Sequence, residues 1–128
     1  MRRRNTLWAP IALVGLSLGS SVSAWAHHSF ALFDHHKMVT VHGVIEKIIW
    51  ANPHVYLFVV VQSKGGKAET YTVECASLVE LTAAGWTRQT LKVGDDAAIR
   101  MYPLRDGRPG GLFDSAVLAN GKKVNGNV

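Results

Sequence analysis

The stretch that decides the fold is VTVHGVIEKIIWANPHVYLFVVVQ, residues 39–62. Residues 39–50 are rich in β-branched and aromatic side chains, which favours one long strand. Asn52-Pro53 predicts a turn, and the almost continuously apolar residues 54–62 predict a strand in the middle of a sheet. Gly43 interrupts the first strand and predicts a bulge or a sharp coil there. We therefore expect a hairpin whose long first strand bends.

Turn, helix and strand signals continue outward from this hairpin. The Gly-Gly pair within residues 64–67 predicts a second tight turn. Ser77 and Glu80 form a capping-box pattern, so one helix is expected to begin there and to stop near Gly85. Three further segments have the composition of strands: residues 68–76, 97–104 and 112–119.

The order of these elements predicts a small barrel. Three strands in a meander, one helix and two more strands are the order of the OB-fold, a five-stranded barrel. A bent first strand suits a barrel, because it must pass between two faces of the sheet. We therefore expect a mainly β, OB-like domain with one helix between strands three and four. An open five-stranded sheet with one packed helix is the main alternative.

Cys75 is the only cysteine, which excludes an internal disulfide. In the strand of residues 68–76 it shares a face with Tyr71 and Val73, because alternate strand residues point the same way. We expect this face to be core and the thiol to be buried.

The acidic residues are scattered, and exposed strand or helix positions account for four of them: Glu46, Glu69, Glu74 and Glu80.

Residues 1–26 have the pattern of a secretory signal peptide. Arg2 to Arg4 give the positive start, residues 7–18 the apolar centre, and Ala24-Trp25-Ala26 a small-x-small cleavage site. A transmembrane anchor is the alternative, but the apolar run is shorter than the ~20 residues that a span needs. The protein is therefore expected to be periplasmic or secreted, with no stable membrane anchor after cleavage.

Cleavage after Ala26 divides the chain into four parts. We expect a signal peptide at 1–26, a histidine-rich arm at 27–38, the barrel domain at 39–120 and a polar tail at 121–128. The chain has 14 Lys and Arg against 9 Asp and Glu, and three of the arginines fall within the leader. Little positive excess remains and no basic stripe is visible, so we expect no nucleic-acid partner.

Four motifs resemble, in the same order, those of a family of small secreted bacterial proteins: HHSF (27–30), GVIEKIIWANPHVYL (43–57), GWTRQTLKVGD (85–95) and LANGKK (118–123). On these motifs the chain is similar to members of domain of unknown function 6152. The resemblance implies an exported, compact, OB-like domain and supplies no activity. At residues 74–77 the chain has ECAS, where the family more often has a Ser-Pro pair.

Histidine is concentrated near the expected mature N-terminus. Five of the six histidines precede residue 43, and the sixth is His54. After cleavage, His27 offers its α-amine and ring Nδ1 as one chelate, and His28 or His54 offers a further imidazole. Amine and imidazole nitrogens suit Cu(II), which also heads the affinity order of divalent metals. We therefore expect a copper site at these three residues. In the simpler alternative, His27 and His28 only follow the cleavage site.

The other histidines fit such a site less well. His35 and His36 are adjacent, so their side chains point in opposite directions in an extended chain, and an exposed polar turn is expected. His42 lies at the opposite end of the hairpin from His54. At ~3.3 Å per strand residue, the two are too far apart to share one metal.

Three functions remain open at this point. The first is a metal-binding module. The second is a module that recognises a partner protein, a glycan or another small ligand without metal. Aromatic side chains could line its groove, although aromatic residues of so small a domain more often lie in the core. Four residues are candidates: Trp50, Tyr56, Trp86 and Tyr102. The third is a copper-dependent oxidative enzyme with an N-terminal histidine brace. The sequence has no recognisable catalytic motif that would favour an enzyme.

Overall fold

A computed structural model describes residues 30–126, which form one mainly β domain. Its strands are β1 (Val39–Ile49), β2 (Tyr56–Gln62), β3 (Ala68–Glu74), β4 (Asp96–Pro103), β5 (Gly110–Leu118) and β6 (Lys123–Asn125). The helix α1 (Leu78–Ala83) lies between β3 and β4. The order of β1 to β5 and of the helix is the one that the sequence predicts, and β6 is an addition.

The strands close into a barrel. They follow the order β3-β2-β1-β4-β5-β6, and a parallel pairing of β3 with β5 joins the two ends of the five-stranded part. Thr72 pairs there with Gly110, and Val73 pairs with Gly111. The OB-like barrel is thereby confirmed, and the alternative of an open five-stranded sheet is wrong.

Gly43 is not the site of the irregularity in β1. It pairs in regular register with Val61 on one side and with Ala97 on the other, and the register shift lies between Ile45 and Lys47. The glycine is needed for a different reason. A Cβ at this position would lie 2.4 Å from the backbone carbonyl oxygen of Val60. Close approach of β2 therefore explains Gly43, and the bulge predicted there occurs three residues further on.

The barrel interior is filled by alternate residues of every long strand and by one helix residue. Among the fully buried side chains are Ile45, Leu57, Val59, Val73, Leu81, Ile99, Met101 and Phe113. Cys75 belongs to the same core, which confirms the burial expected from its parity with Val73. Tyr71, on the same face, is half-buried. Burial, followed by the charge of Glu74, raises the pKa of the Cys75 thiol.

The helix begins as the capping-box pattern predicts. The Ser77 hydroxyl accepts the backbone N–H of Glu80 at 3.3 Å, and the Glu80 carboxylate accepts the backbone N–H of Ser77 at 3.0 Å. The departure from the family pattern at residues 74–77 therefore leaves the helix start intact. The helix has six residues and is followed by Gly85 at a φ of +88°. Leu81 is its fully buried residue.

Residues 123–125, which the sequence assigns to a polar tail, form the short strand β6 beside β5. Val124 is buried against the core, and its two neighbours are exposed. One apolar side chain in an otherwise polar segment is enough to order it, because the segment pairs with an open strand edge. In the described part of the chain, no helix is long and apolar enough to cross a membrane.

The part of the arm that the structure describes is attached to the end of β4. The backbone N–H of Asp34 donates to the Pro103 carbonyl at 2.8 Å, and that of Arg105 donates to the Leu32 carbonyl at 2.9 Å. Phe33 is buried and forms an isolated bridge with Leu104. These contacts hold residues 32–34 on the barrel.

Candidate functional site

His54 lies at the rim of the barrel, immediately after the Asn52-Pro53 turn. The turn is tied to the start of α1, since the Asn52 side-chain oxygen accepts the backbone N–H of Leu78 at 3.3 Å. The pairing of β2 with β3 continues past the strand ends, where Val55 exchanges backbone hydrogen bonds with Cys75 and Ala76. The backbone beside His54 is therefore fixed on both sides of the residue.

The imidazole of His54 is oriented by one backbone carbonyl. Its Nδ1 atom lies 3.2 Å from the carbonyl oxygen of Cys75. A carbonyl oxygen only accepts hydrogen bonds, so Nδ1 carries the proton and donates. In the neutral ring the lone pair is then on Nε2. Among residues 30–126, Nε2 takes part in no hydrogen bond, and the side chain is 29% exposed. The ring is held in place with one nitrogen available.

A carboxylate and a phenol complete the surroundings of this ring. Glu74 places Oε1 3.6 Å from His54 Nδ1, and its Oε2 accepts a hydrogen bond from the Tyr56 hydroxyl at 3.2 Å. Burial, followed by the charge of Glu74, raises the pKa of Tyr56 to about 12, so the phenol remains a donor at neutral pH. His54 also helps to lower the pKa of Glu80, after the larger effect of the hydrogen bonds from Ser77.

Glu74 was expected to be exposed and is instead only 9% accessible. Strand alternation assigns it to the outer face, where its neighbours in the sheet are Tyr56 of β2 and Leu112 of β5. A groove of about 370 Å³ is lined by Tyr56 and Glu74 together with Leu32 and Phe33 of the arm. The arm and the surroundings of His54 thus border the same groove. Tyr56 pairs with Glu74 in the β2–β3 register. Working out that register from the turn at residues 64–67 could have predicted that Tyr56 and Glu74 are neighbours.

Within residues 30–126, no hydrogen bond, ion pair or ring contact joins His54 to another histidine. His35 stacks on Phe30 with 3.7 Å between ring centroids, and its Nε2 contacts the Phe30 carbonyl oxygen at 3.0 Å. His36 is exposed. His42 is exposed on β1 next to Gly43, whose partner Val61 is at the far end of β2. The expected separation of His42 from His54 is therefore confirmed.

The described residues alone do not form a metal site. Within residues 30–126, no group of three or more His, Cys, Asp or Glu side chains could hold a metal ion. The predicted ligands His27 and His28 lie outside the described residues. Of the three predicted ligands, His54 lies within the described residues, and the Glu74 carboxylate lies 3.6 Å from its Nδ1.

The four aromatic residues considered for a single groove fall into three places. Trp50 and Trp86 line a cleft of about 230 Å³ on the opposite side of β2 from Glu74. Trp86 is also core: it is 6% exposed, contacts Phe113 edge-on and donates its indole N–H to the Asn125 carbonyl at 2.9 Å. Tyr56 belongs to the groove beside Glu74, and Tyr102 lies near His35, with 5.1 Å between ring centroids.

Comparison with known proteins gives a family and no activity. No curated protein and no solved structure matches this sequence. Residues 16–114, well over half of the 128-residue chain, match the model of a family described as a family of unknown function, DUF6152. The match agrees with the motifs around the β1–β2 hairpin and the segment after α1. This small β-barrel protein therefore belongs to the DUF6152 family.

Proposed function

We propose that this protein is an exported β-barrel module that binds a transition metal, copper favoured, through His27, His28 and His54. The signal-peptide pattern would make His27 the first residue after cleavage. Its α-amine, with a pKa of about 8 in peptides, and its ring Nδ1 would then close one chelate around the metal. His54, with or without His28, would add a further imidazole. Such a set of nitrogen ligands suits Cu(II).

The observation that carries the proposal is the orientation of His54. Metal-binding histidines usually donate the second ring N–H to a carbonyl or carboxylate, which fixes the tautomer and makes the ligating nitrogen more basic. His54 has this arrangement, because Nδ1 donates to the Cys75 carbonyl at 3.2 Å and Glu74 lies 3.6 Å from the same nitrogen. The remaining nitrogen, Nε2, is the one that would bind the metal.

The place where the arm is attached supports a contribution from the N-terminus. Leu32 borders the same groove as Glu74, whose carboxylate lies 3.6 Å from His54 Nδ1. His27 is five positions before Leu32, and residues 30–33 already form a turn, so an extended chain from His27 to Phe30 would cover at most about 11 Å. The proposal therefore requires His54 Nε2 to lie within this reach of Phe30.

The experiment compares two forms of the protein that differ only at the N-terminus. One begins at His27 with a free α-amine, and the other carries an acetyl group on that amine, which keeps all six histidines but removes the amine as a ligand. Loss of one nitrogen and of the chelate ring should weaken Cu(II) binding on the order of a hundredfold. Calorimetry gives the affinities, and electron spin resonance reports the nitrogen ligands. Equal affinities would show that the histidines bind metal adventitiously and would end the proposal.

Two histidine variants distinguish this site from general histidine binding. His54→Ala removes the proposed imidazole ligand and should weaken Cu(II) binding in the form that begins at His27. His42→Ala is the matched control, because it removes an exposed imidazole at the far end of the hairpin and should leave the affinity unchanged. The intact mass of the exported protein establishes where it begins. A first residue other than His27 would remove the terminal chelate from the proposal.

A further inference from the structure

The cleft that contains Trp50 and Trp86 has the shape and composition of a small-ligand site. It lies between the end of β1, the beginning of β2 and the segment of residues 86–93, and its volume is about 230 Å³. Its walls are apolar and come mainly from five residues: Trp50, Val55, Leu57, Trp86 and Leu91. Sites for drug-sized molecules measure about 300–1,000 Å³, so this cleft would accept a smaller molecule.

Two cationic side chains border this apolar space. The guanidinium carbon of Arg88 lies 6.0 Å from the centroid of the Trp50 ring, within cation–π range, and Lys92 is part of the cleft wall. Both residues are exposed. Of the ion pairs formed within residues 30–126, none includes Arg88 or Lys92. Two positive charges that have no carboxylate partner in the described part of the chain therefore border an apolar cavity.

The segment that carries these charges is held by its own hydrogen bonds. The Thr90 hydroxyl accepts the Thr87 backbone N–H at 2.8 Å, and the Asp95 carboxylate accepts the Lys92 backbone N–H at 2.8 Å. Trp86 is anchored by its indole N–H on the Asn125 carbonyl. A wall that is fixed before the ligand arrives loses little conformational entropy on binding.

We infer that this cleft binds a small amphipathic carboxylate, with its aromatic or short aliphatic body against Trp50 and Trp86 and its carboxylate toward Arg88 and Lys92. The apolar walls favour the body, and the positive charges of Arg88 and Lys92 favour a negative group over a neutral one. The site is separate from His54, so its occupation does not depend on the proposed metal.

Calorimetry with 3-phenylpropionate and with 3-phenylpropan-1-ol tests the inference, because the two probes share a body and differ in charge. We expect the acid to bind the purified protein and the alcohol to bind at least about tenfold more weakly. The indole N–H signals of Trp50 and Trp86 should shift on addition of the acid. Absence of binding, or equal binding of acid and alcohol, would overturn the inference.

Charge variants locate the binding site. Arg88→Gln and Lys92→Gln should each weaken binding of the acid about tenfold and leave binding of the alcohol unchanged. Lys64→Gln is the matched control: Lys64 is exposed in the β2–β3 turn, about 23 Å along β2 from the cleft. An equal loss in the control would mean non-specific attraction. Sedimentation measures whether the protein is a monomer or a dimer. A dimer that covers the cleft would make a second copy of the chain its occupant and would overturn the inference.

Discussion

Substitution of Gly43 by alanine tests the closest approach between β1 and β2. An alanine Cβ built on the Gly43 backbone lies 2.4 Å from the Val60 carbonyl oxygen and 2.9 Å from Cγ1 of Val59. The first distance is about 1 Å short of ordinary van der Waals contact. The carbonyl belongs to the backbone, so rotation of a side chain cannot relieve the overlap. The strands must separate where Gly43 pairs with Val61.

The expected effect follows from two opposing contributions. Adding a methyl group to a packed site with a backbone shift costs about 1–3 kcal/mol. Replacing glycine by alanine restricts the unfolded chain, which returns about 0.4–1 kcal/mol. The difference between these contributions is about 0–2.6 kcal/mol, and because the overlap is with backbone we expect the free energy of unfolding to fall by about 1–2 kcal/mol. For a domain of about 100 residues, this lowers Tm by roughly 5–15 °C.

Chemical and thermal denaturation of Gly43→Ala and Gly65→Ala measure this difference. Gly65 is the control because it lies in the exposed β2–β3 turn and a Cβ there meets no atom within 4 Å. Its replacement should change the free energy of unfolding by no more than about 0.5 kcal/mol. A Gly43→Ala protein as stable as Gly65→Ala would refute the strand packing on which the position of β2 depends.

Two further predictions concern the buried thiol and the helix cap. The Cys75 thiol is buried, and burial raises its pKa. A thiol reagent should therefore label the native protein far more slowly than the denatured protein. Rapid labelling of the native protein, or a disulfide-linked dimer, would contradict this prediction. Ser77→Ala should lower the free energy of unfolding by about 1 kcal/mol, with the exposed Ser63→Ala as its control. Hydrogen bonds from Ser77 lower the pKa of Glu80, so the part of the cap that needs the carboxylate is present at neutral pH and is lost as pH falls through that lowered pKa. Denaturant titrations from pH 7 downward should show the cost of Ser77→Ala shrinking, and a cost that grows toward acid pH would exclude this cap.

Local patterns in the sequence predict the features that depend on neighbouring residues. The strands follow from runs of β-branched residues between turn residues, and the helix start follows from Ser77 and Glu80, because a capping box needs only four consecutive positions. Burial of Cys75 follows from its spacing to Val73, since strand geometry puts every second residue on one face. The barrel order follows from the order of the elements.

Features that depend on distant residues could not be predicted in this way. Glu74 is buried although strand alternation puts it on the outer face, where Tyr56 of β2 and Leu112 of β5 flank it. Val124 is ordered by pairing with β5, although its own segment has the composition of a tail. A glycine inside a strand indicates either a bulge or a close approach of another backbone. At Gly43 only the distance from a built Cβ to the Val60 carbonyl oxygen distinguishes the two. In each case the structural feature depends on contact with a residue that is distant in the sequence, so a local sequence pattern does not include it.

The beginning of β2 connects the two proposed sites and also keeps them apart. Successive residues of an extended chain point to opposite faces. His54 and Tyr56 therefore lie on the same side of β2 as Glu74, whose carboxylate accepts the Tyr56 hydroxyl. Val55 and Leu57 lie on the other side and form walls of the cleft that contains Trp50 and Trp86. The two sites share a backbone that the β2–β3 pairing makes rigid, but no side chain belongs to both. Loss of copper binding would leave the carboxylate inference standing, and loss of carboxylate binding would leave the copper proposal standing.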